Sequence, residues 1–274
     1  MEPIVSVAWL SAHIDDDDLI LLDVSSEMTA VGERSAFDGV SIRGARKIDL
    51  QKDFSDLNSA FPNTFPALEF FEQTCCRLGI RNNSRIVIFD NLGIYTSPRL
   101  WWLFKAMGHE EVTVLDGGLP EWIRNGFGTF EVSSGSTYEP GAYSASIQPG
   151  YLVLYEEVIE NLQSGKFVIA DARSAARFSG SGPEPRKDLQ SGMIPGSLNI
   201  PFKEVLSDGV FKSKAELVEI FTVILNTHKT PVFSCGSGVT ACILMMAWEI
   251  AFGPARRIYD GSWTEWATLN DLTF

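Results

Sequence analysis

The chain has 274 residues, enough for two domains of about 130 residues that each bury a core of their own. A hydrophobic fraction of 45% and a charged fraction of 21% are ordinary for a globular chain, and the formal charge of −13 opposes a polyanionic partner, so nucleic acid is not expected. No run approaches the roughly 18 consecutive apolar residues of a membrane helix, and the start Met1-Glu2-Pro3-Ile4-Val5 lacks the basic-then-apolar pattern of a signal peptide, so a cytoplasmic protein without a membrane partner is expected.

In chain order, residues 19–24 form an apolar run through Asp23, which predicts a strand ending in a carboxylate. Residues 67–79 read as an amphipathic helix stopped by Gly79, and they carry the neighbours Cys75 and Cys76. These read as packing residues, because nothing near them would lower a thiol pKa. Residues 85–90 predict a second strand, ending in Asp90, and residues 97–108 a helix after it. Residues 132–141 carry little periodicity and several turn formers, which predicts a linker.

The second half then repeats the first at a spacing near 145 to 150 residues. Residues 167–172 parallel 19–24, residues 194–200 parallel 42–48, the strand before Cys235 parallels 85–90, and residues 258–266 parallel 114–122. Strands alternating with helices predict an α/β fold in which each half is a mainly parallel sheet flanked by helices on both faces. The expected domains are 1–128 and 151–274, joined by a linker at 129–150.

The most informative stretch is Cys235-Gly236-Ser237-Gly238-Val239-Thr240-Ala241, between an apolar strand and an apolar helix. A thiol at the start of such a loop meets converging backbone N–H groups and the positive end of the next helix, which favours the thiolate and makes Cys235 a candidate nucleophile. The competing reading is a small buried core residue, but glycines at 236 and 238 leave the approach to the sulfur open. A cysteine phosphatase would need arginine at position 241, which is Ala241, so that chemistry is disfavoured. Neither the four cysteines nor His13, His109 and His228 have disulfide-framework or metal-ligand spacing, so neither metal nor other cofactor is expected.

This loop resembles the active-site loop of the rhodanese superfamily, and the mercaptopyruvate sulfurtransferase branch in particular, because Gly236 and Ser237 stand where thiosulfate-using members carry basic residues. The four ordered repeats resemble the tandem layout of that superfamily over essentially the whole chain. The resemblance implies that Cys235 takes sulfur from a small-molecule donor, 3-mercaptopyruvate, as a persulfide and passes it to a thiol such as thioredoxin or a small thiol, or to cyanide, releasing pyruvate. It implies an active-site loop of Gly236, Ser237, Gly238, Val239 and Thr240, with Ser237 offering a hydroxyl hydrogen bond and Thr240 holding the loop or capping the helix. It further implies substrate-binding roles for Arg177 and Arg186, which on residue type alone are equally surface charges; Arg173 is expected to pair with Asp171. Asp90 stands in place of the nucleophile, so the first domain is expected to be non-catalytic. Asn63 and Met193 replace two family histidines, and asparagine cannot serve as a general base. The rival readings are a thiosulfate sulfurtransferase and a persulfide carrier that binds a protein and turns over no small molecule.

Overall fold

The computed structural model describes residues 1–131 and 137–274; residues 132–136, inside the linker expected at 129–150, lie outside them. Two compact units emerge. One comprises Met1–Leu57, Phe65–Gln148 and Asp208–Val210, the other Asn58–Thr64, Pro149–Ser207 and Phe211–Phe274.

The first unit is built on strands β1 (Ile4–Val5), β2 (Leu19–Asp23), β3 (Arg46–Lys47), β4 (Arg85–Phe89) and β5 (Val112–Leu115), in the spatial order β3-β2-β4-β5-β1 with every pair parallel. The second uses β6 (Leu152–Val153), β7 (Phe167–Asp171), β8 (Leu198–Asn199), β9 (Thr230–Ser234) and β10 (Ile258–Tyr259), in the order β8-β7-β9-β10-β6, again all parallel. The two orders coincide when five is added to each strand of the first sheet, so the sequence repeat is a repeat of topology.

Alternation along the strands explains the layers. In the first unit Leu21, Val87 and Phe89 pack with Val7, Leu10, Leu119 and Trp122 of the helices Val7–His13 and Gly118–Arg124. The helix Ser97–Ala106 is buried along its whole length, with Trp101 Nε1 donating to Val112 O at 3.0 Å. In the second unit Phe167, Ile169 and Val232 face Val158, Trp263 and Trp266, from the helices Tyr155–Ser164 and Ser262–Leu269. Phe233 points the other way, its ring 6.2 Å from that of Trp248 in the helix Ala241–Phe252. That helix is apolar around its circumference, as a helix enclosed by protein requires. No helix among the described residues is long and apolar enough to cross a membrane.

Residues 141–148 have no regular secondary structure, yet the first unit binds them. Gly141 N–H donates to Cys76 O at 2.8 Å, Gln148 N–H to Ala106 O at 2.7 Å and Ser146 N–H to Met107 O at 2.9 Å. These carbonyls lie at the carboxyl ends of the helices Leu68–Arg77 and Ser97–Ala106, and Cys76 O also accepts from Gly79 N–H at 3.0 Å.

Candidate active site

Strands β7 and β9 pair in register from Phe167 opposite Thr230 to Asp171 opposite Ser234. Cys235 therefore leaves the sheet at the carboxyl edge, the usual place for ligand sites in parallel α/β sheets. Its backbone is tied to the start of the helix Ser262–Leu269: Cys235 N–H donates to Ser262 Oγ at 3.2 Å, and Trp263 N–H donates to Cys235 O at 3.0 Å. Gly236 O accepts from Thr264 N–H at 3.0 Å and from Thr264 Oγ1 at 2.7 Å. Ser262 sits at φ 52°, a left-handed conformation unusual for serine, and its hydroxyl bonds to Cys235 N–H and Tyr259 O hold it there. Its repeat partner Gly118 has the same φ of 52°.

The polar groups of the loop divide sharply. Among the described residues the backbone N–H groups of Gly236, Ser237, Val239 and Thr240 donate no hydrogen bond, and Cys235 Sγ has no hydrogen-bond partner. These N–H groups lie in the same loop as the sulfur and are not claimed by other described residues. Cys235 is 2% exposed, which corrects the open approach expected from Gly236 and Gly238: the space beside Gly236 is taken by the Arg177 guanidinium. Gly238 has φ 76°, which allows the loop to reverse into the helix.

The equivalent loop of the first unit wraps backbone donors of its own around a carboxylate side chain. Asp90 Oδ2 accepts from the N–H groups of Tyr95 at 2.9 Å, Thr96 at 3.0 Å and Ser97 at 3.0 Å, and from Ser97 Oγ at 2.7 Å. Oδ1 takes Leu92 N–H at 3.0 Å, and Asp90 O accepts from Leu119 N–H at 2.9 Å, just as Cys235 O accepts from Trp263. A loop of this type therefore binds a carboxylate when one is supplied.

Arg177 is brought to the loop. Its Nη2 lies 2.8 Å from the point a Cβ on Gly236 would occupy. Glu184 holds it there, with Nη2 donating to Oε2 at 2.6 Å and Nε to Oε2 at 3.1 Å. Arg186 is exposed and its side chain makes no hydrogen bond or ion pair among the described residues, so the expected cation pair is a single engaged arginine beside a free one. Arg173 is the structural member. It donates to Asp171 Oδ2 at 2.6 Å, to Glu184 Oε1 at 2.9 Å and to Gly192 O at 2.6 Å, and its guanidinium lies 4.4 Å from the centre of the Trp263 ring. Burial raises the Asp171 carboxyl, and Arg173 opposes that rise.

Thr240 occupies the N-cap position of the helix Ala241–Phe252, but its side chain makes no capping bond, which corrects the expected cap. The reason is its φ, ψ of −73°, −15°: a residue already helical does not aim its hydroxyl at the first-turn N–H groups. Cys242 Sγ donates to Gly238 O at 3.3 Å, and none of the four cysteines is joined in a disulfide. Burial pushes the Cys75 thiol well above its usual value, consistent with a packing residue. Met193 is 46% exposed, whereas Asn63 is buried and bonds Ser237. Residue type alone does not single out Glu184 or Ser262. Only the parallel between Asp116-Gly117-Gly118 and Asp260-Gly261-Ser262 signals the second.

The rhodanese-like domain family matches residues 6–125 and again residues 154–269. The human 3-mercaptopyruvate sulfurtransferase is 38% identical over 96% of this chain and 91% of its own length. An Arabidopsis thaliana protein named thiosulfate/3-mercaptopyruvate sulfurtransferase 1, mitochondrial, is 37% identical over 99% of this chain and 77% of its own. The crystal structure of SseA from Escherichia coli, a 3-mercaptopyruvate sulfotransferase, superposes with a TM-score of 0.84 at 30% identity, covering 96% of this chain and 99% of that one. With the same parallel sheet in both halves and family matches to both, the chain belongs to the rhodanese family as a tandem two-domain member.

Proposed function

We propose that the chain is a sulfurtransferase that moves sulfur from 3-mercaptopyruvate through a Cys235 persulfide to a thiol acceptor. The observation that carries this reading is the pair of equivalent loops: one encloses the Asp90 carboxylate with its N–H groups, while the other carries a cysteine and leaves the N–H groups of Gly236, Ser237, Val239 and Thr240 unclaimed among the described residues. Free donors around a thiol suit negative charge that arrives and leaves during a reaction.

In the first step the Cys235 thiolate attacks the donor sulfur, a sulfur–sulfur bond forms, and the carbon–sulfur electron pair departs as the enolate of pyruvate, which takes up a proton at carbon. The thiolate of an acceptor, thioredoxin or a small thiol, then attacks the outer sulfur and regenerates the Cys235 thiolate. Arg177 supplies the cation for the donor carboxylate, with Arg186 as a second, solvent-facing charge. The loop from Gly236 to Thr240 supplies backbone donors. The first domain, 1–128, is non-catalytic because a carboxylate at Asp90 cannot carry sulfane sulfur, the linker is 129–150, and the catalytic domain is 151–274.

Intact mass after incubation with 3-mercaptopyruvate tests the reading, with Cys235→Ser as control. One added sulfur on the wild type, none on the variant, and stoichiometric pyruvate are expected. A loaded cysteine without pyruvate identifies a carrier instead. Because the Arabidopsis relative is named for both donors, thiosulfate is the second substrate to compare, and a higher kcat/KM for thiosulfate overturns the choice of donor.

A further inference from the structure

Asn63 lies in the segment Asn58–Thr64, which packs as part of the second unit. It is 8% exposed, and its φ of 58° is left-handed, a conformation asparagine tolerates better than most residues. Its Nδ2 stands 3.0 Å from Ser237 Oγ and 3.4 Å from Ser237 O. A carbonyl oxygen only accepts, so the face of the Asn63 amide turned to Ser237 is the NH2 group. The Ser237 hydroxyl therefore accepts from Asn63 and keeps its own hydrogen for another acceptor. Among the described residues no protein acceptor takes that hydrogen. An asparagine amide does not take up a proton at neutral pH, so this pair cannot relay one. What it can do is aim a donor.

We infer that Asn63 is a positioning residue that holds the Ser237 hydroxyl as a hydrogen-bond donor to the C2 oxygen of the 2-oxo acid. This inference rests on the sulfurtransferase reading. As the carbon–sulfur bond of the donor breaks, its electron pair moves onto the pyruvate enolate, and the C2 oxygen gains negative charge. Ser237 remains a hydroxyl throughout and transfers no proton. A donor fixed beforehand binds the enolate oxygen more tightly than the ground-state carbonyl, so it acts on kcat rather than on KM.

A double-mutant cycle on the full chain tests this, with pyruvate release from 3-mercaptopyruvate as the readout and thermal melting as the check on folding. Asn63→Gly removes the amide and suits the left-handed backbone. Asn63→Gly and Ser237→Ala should each lower kcat about tenfold with KM changed by less than about threefold, the size expected for one hydrogen bond made in the transition state. The double variant should be no slower than Ser237→Ala alone, because Asn63 acts only through Ser237. Losses that multiply, or a wild-type kcat for Asn63→Gly, overturn the inference. Asn63→Asp keeps the shape but presents only acceptors, draws the Ser237 hydrogen to itself, and should slow kcat at least as much; an unchanged kcat there also overturns it. If the wild type releases no pyruvate at all, the sulfurtransferase reading falls and takes this one with it, whereas an active wild type with independent losses removes this one alone.

Discussion

The guanidinium of Arg177 lies against Gly236, its Nη2 2.8 Å from the place a Cβ would take. Glu184 holds that guanidinium through Nε and Nη2, so the arginine cannot swing aside without breaking an ion pair whose carboxylate is buried. The absence of a side chain at 236 thus decides where the positive charge of the site stands. Gly236→Ala should displace Arg177 and raise KM for 3-mercaptopyruvate about tenfold, the loss of roughly one charge-assisted hydrogen bond. Steady-state kinetics with a KM equal to that of the wild type would remove Arg177 from donor binding.

Glu184 is shared by two arginines, of which Arg173 is fully buried. Glu184→Ala leaves Arg177 without its carboxylate and Arg173 with Asp171 alone, and it should cost about 3–5 kcal/mol, the usual penalty for breaking a buried ion pair. Glu184→Gln retains an acceptor and should cost less. Urea unfolding followed by tryptophan fluorescence measures both, and a loss below about 1 kcal/mol for the alanine variant contradicts the network as a stabilising element.

Asp90 is 0% exposed and gathers four backbone N–H groups and one hydroxyl. Asp90→Ala orphans those donors, and a loss of roughly 3 kcal/mol or more is expected, since each buried unsatisfied donor costs about 1–3 kcal/mol and water can enter to satisfy some of them. Sulfur loading per folded molecule at Cys235 should not change. A stability equal to the wild type's would show that the donors find other partners.

His109 is buried, and its Nε2 lies 2.9 Å from Ser84 O. Burial, reinforced by repulsion from Lys105, lowers its pKa below the usual histidine value, so the folded chain keeps the ring neutral where the unfolded chain begins to protonate it. Its contribution to stability is complete above the unfolded pKa of about 6.5 and declines as pH falls from there toward the lower folded value. Melting temperatures at about pH 7.5 and about pH 5.5 should differ less in His109→Gln than in the wild type, as the linkage between protonation and folding requires. Equal differences would place the acid sensitivity elsewhere.

Much of the fold is legible in the order of residues alone. The repeat of strand, Asp90 or Cys235 loop, helix and Asp-Gly turn fixes the α/β class and the tandem plan, because hydrophobic periodicity and loop glycines are local properties. The pairing of Arg173 with Asp171 is also within reach, since the two are neighbours at a strand end. Thr240 shows the limit of residue-type rules: it is a good capping residue by type, in a backbone conformation that does not cap.

By itself, then, the sequence determined the sheet, the repeat and the position of the thiol. Tertiary structure decided what surrounds that thiol: that Arg177 meets the loop in the grip of Glu184, that Ser262 anchors Cys235 from the left-handed region, and that Asn63 donates to a serine 174 positions away. The physical reason is range. Strands and helices follow from contacts within a few residues, whereas hydrogen-bond direction and ion-pair choice depend on which distant chains the completed fold brings within about 3 Å.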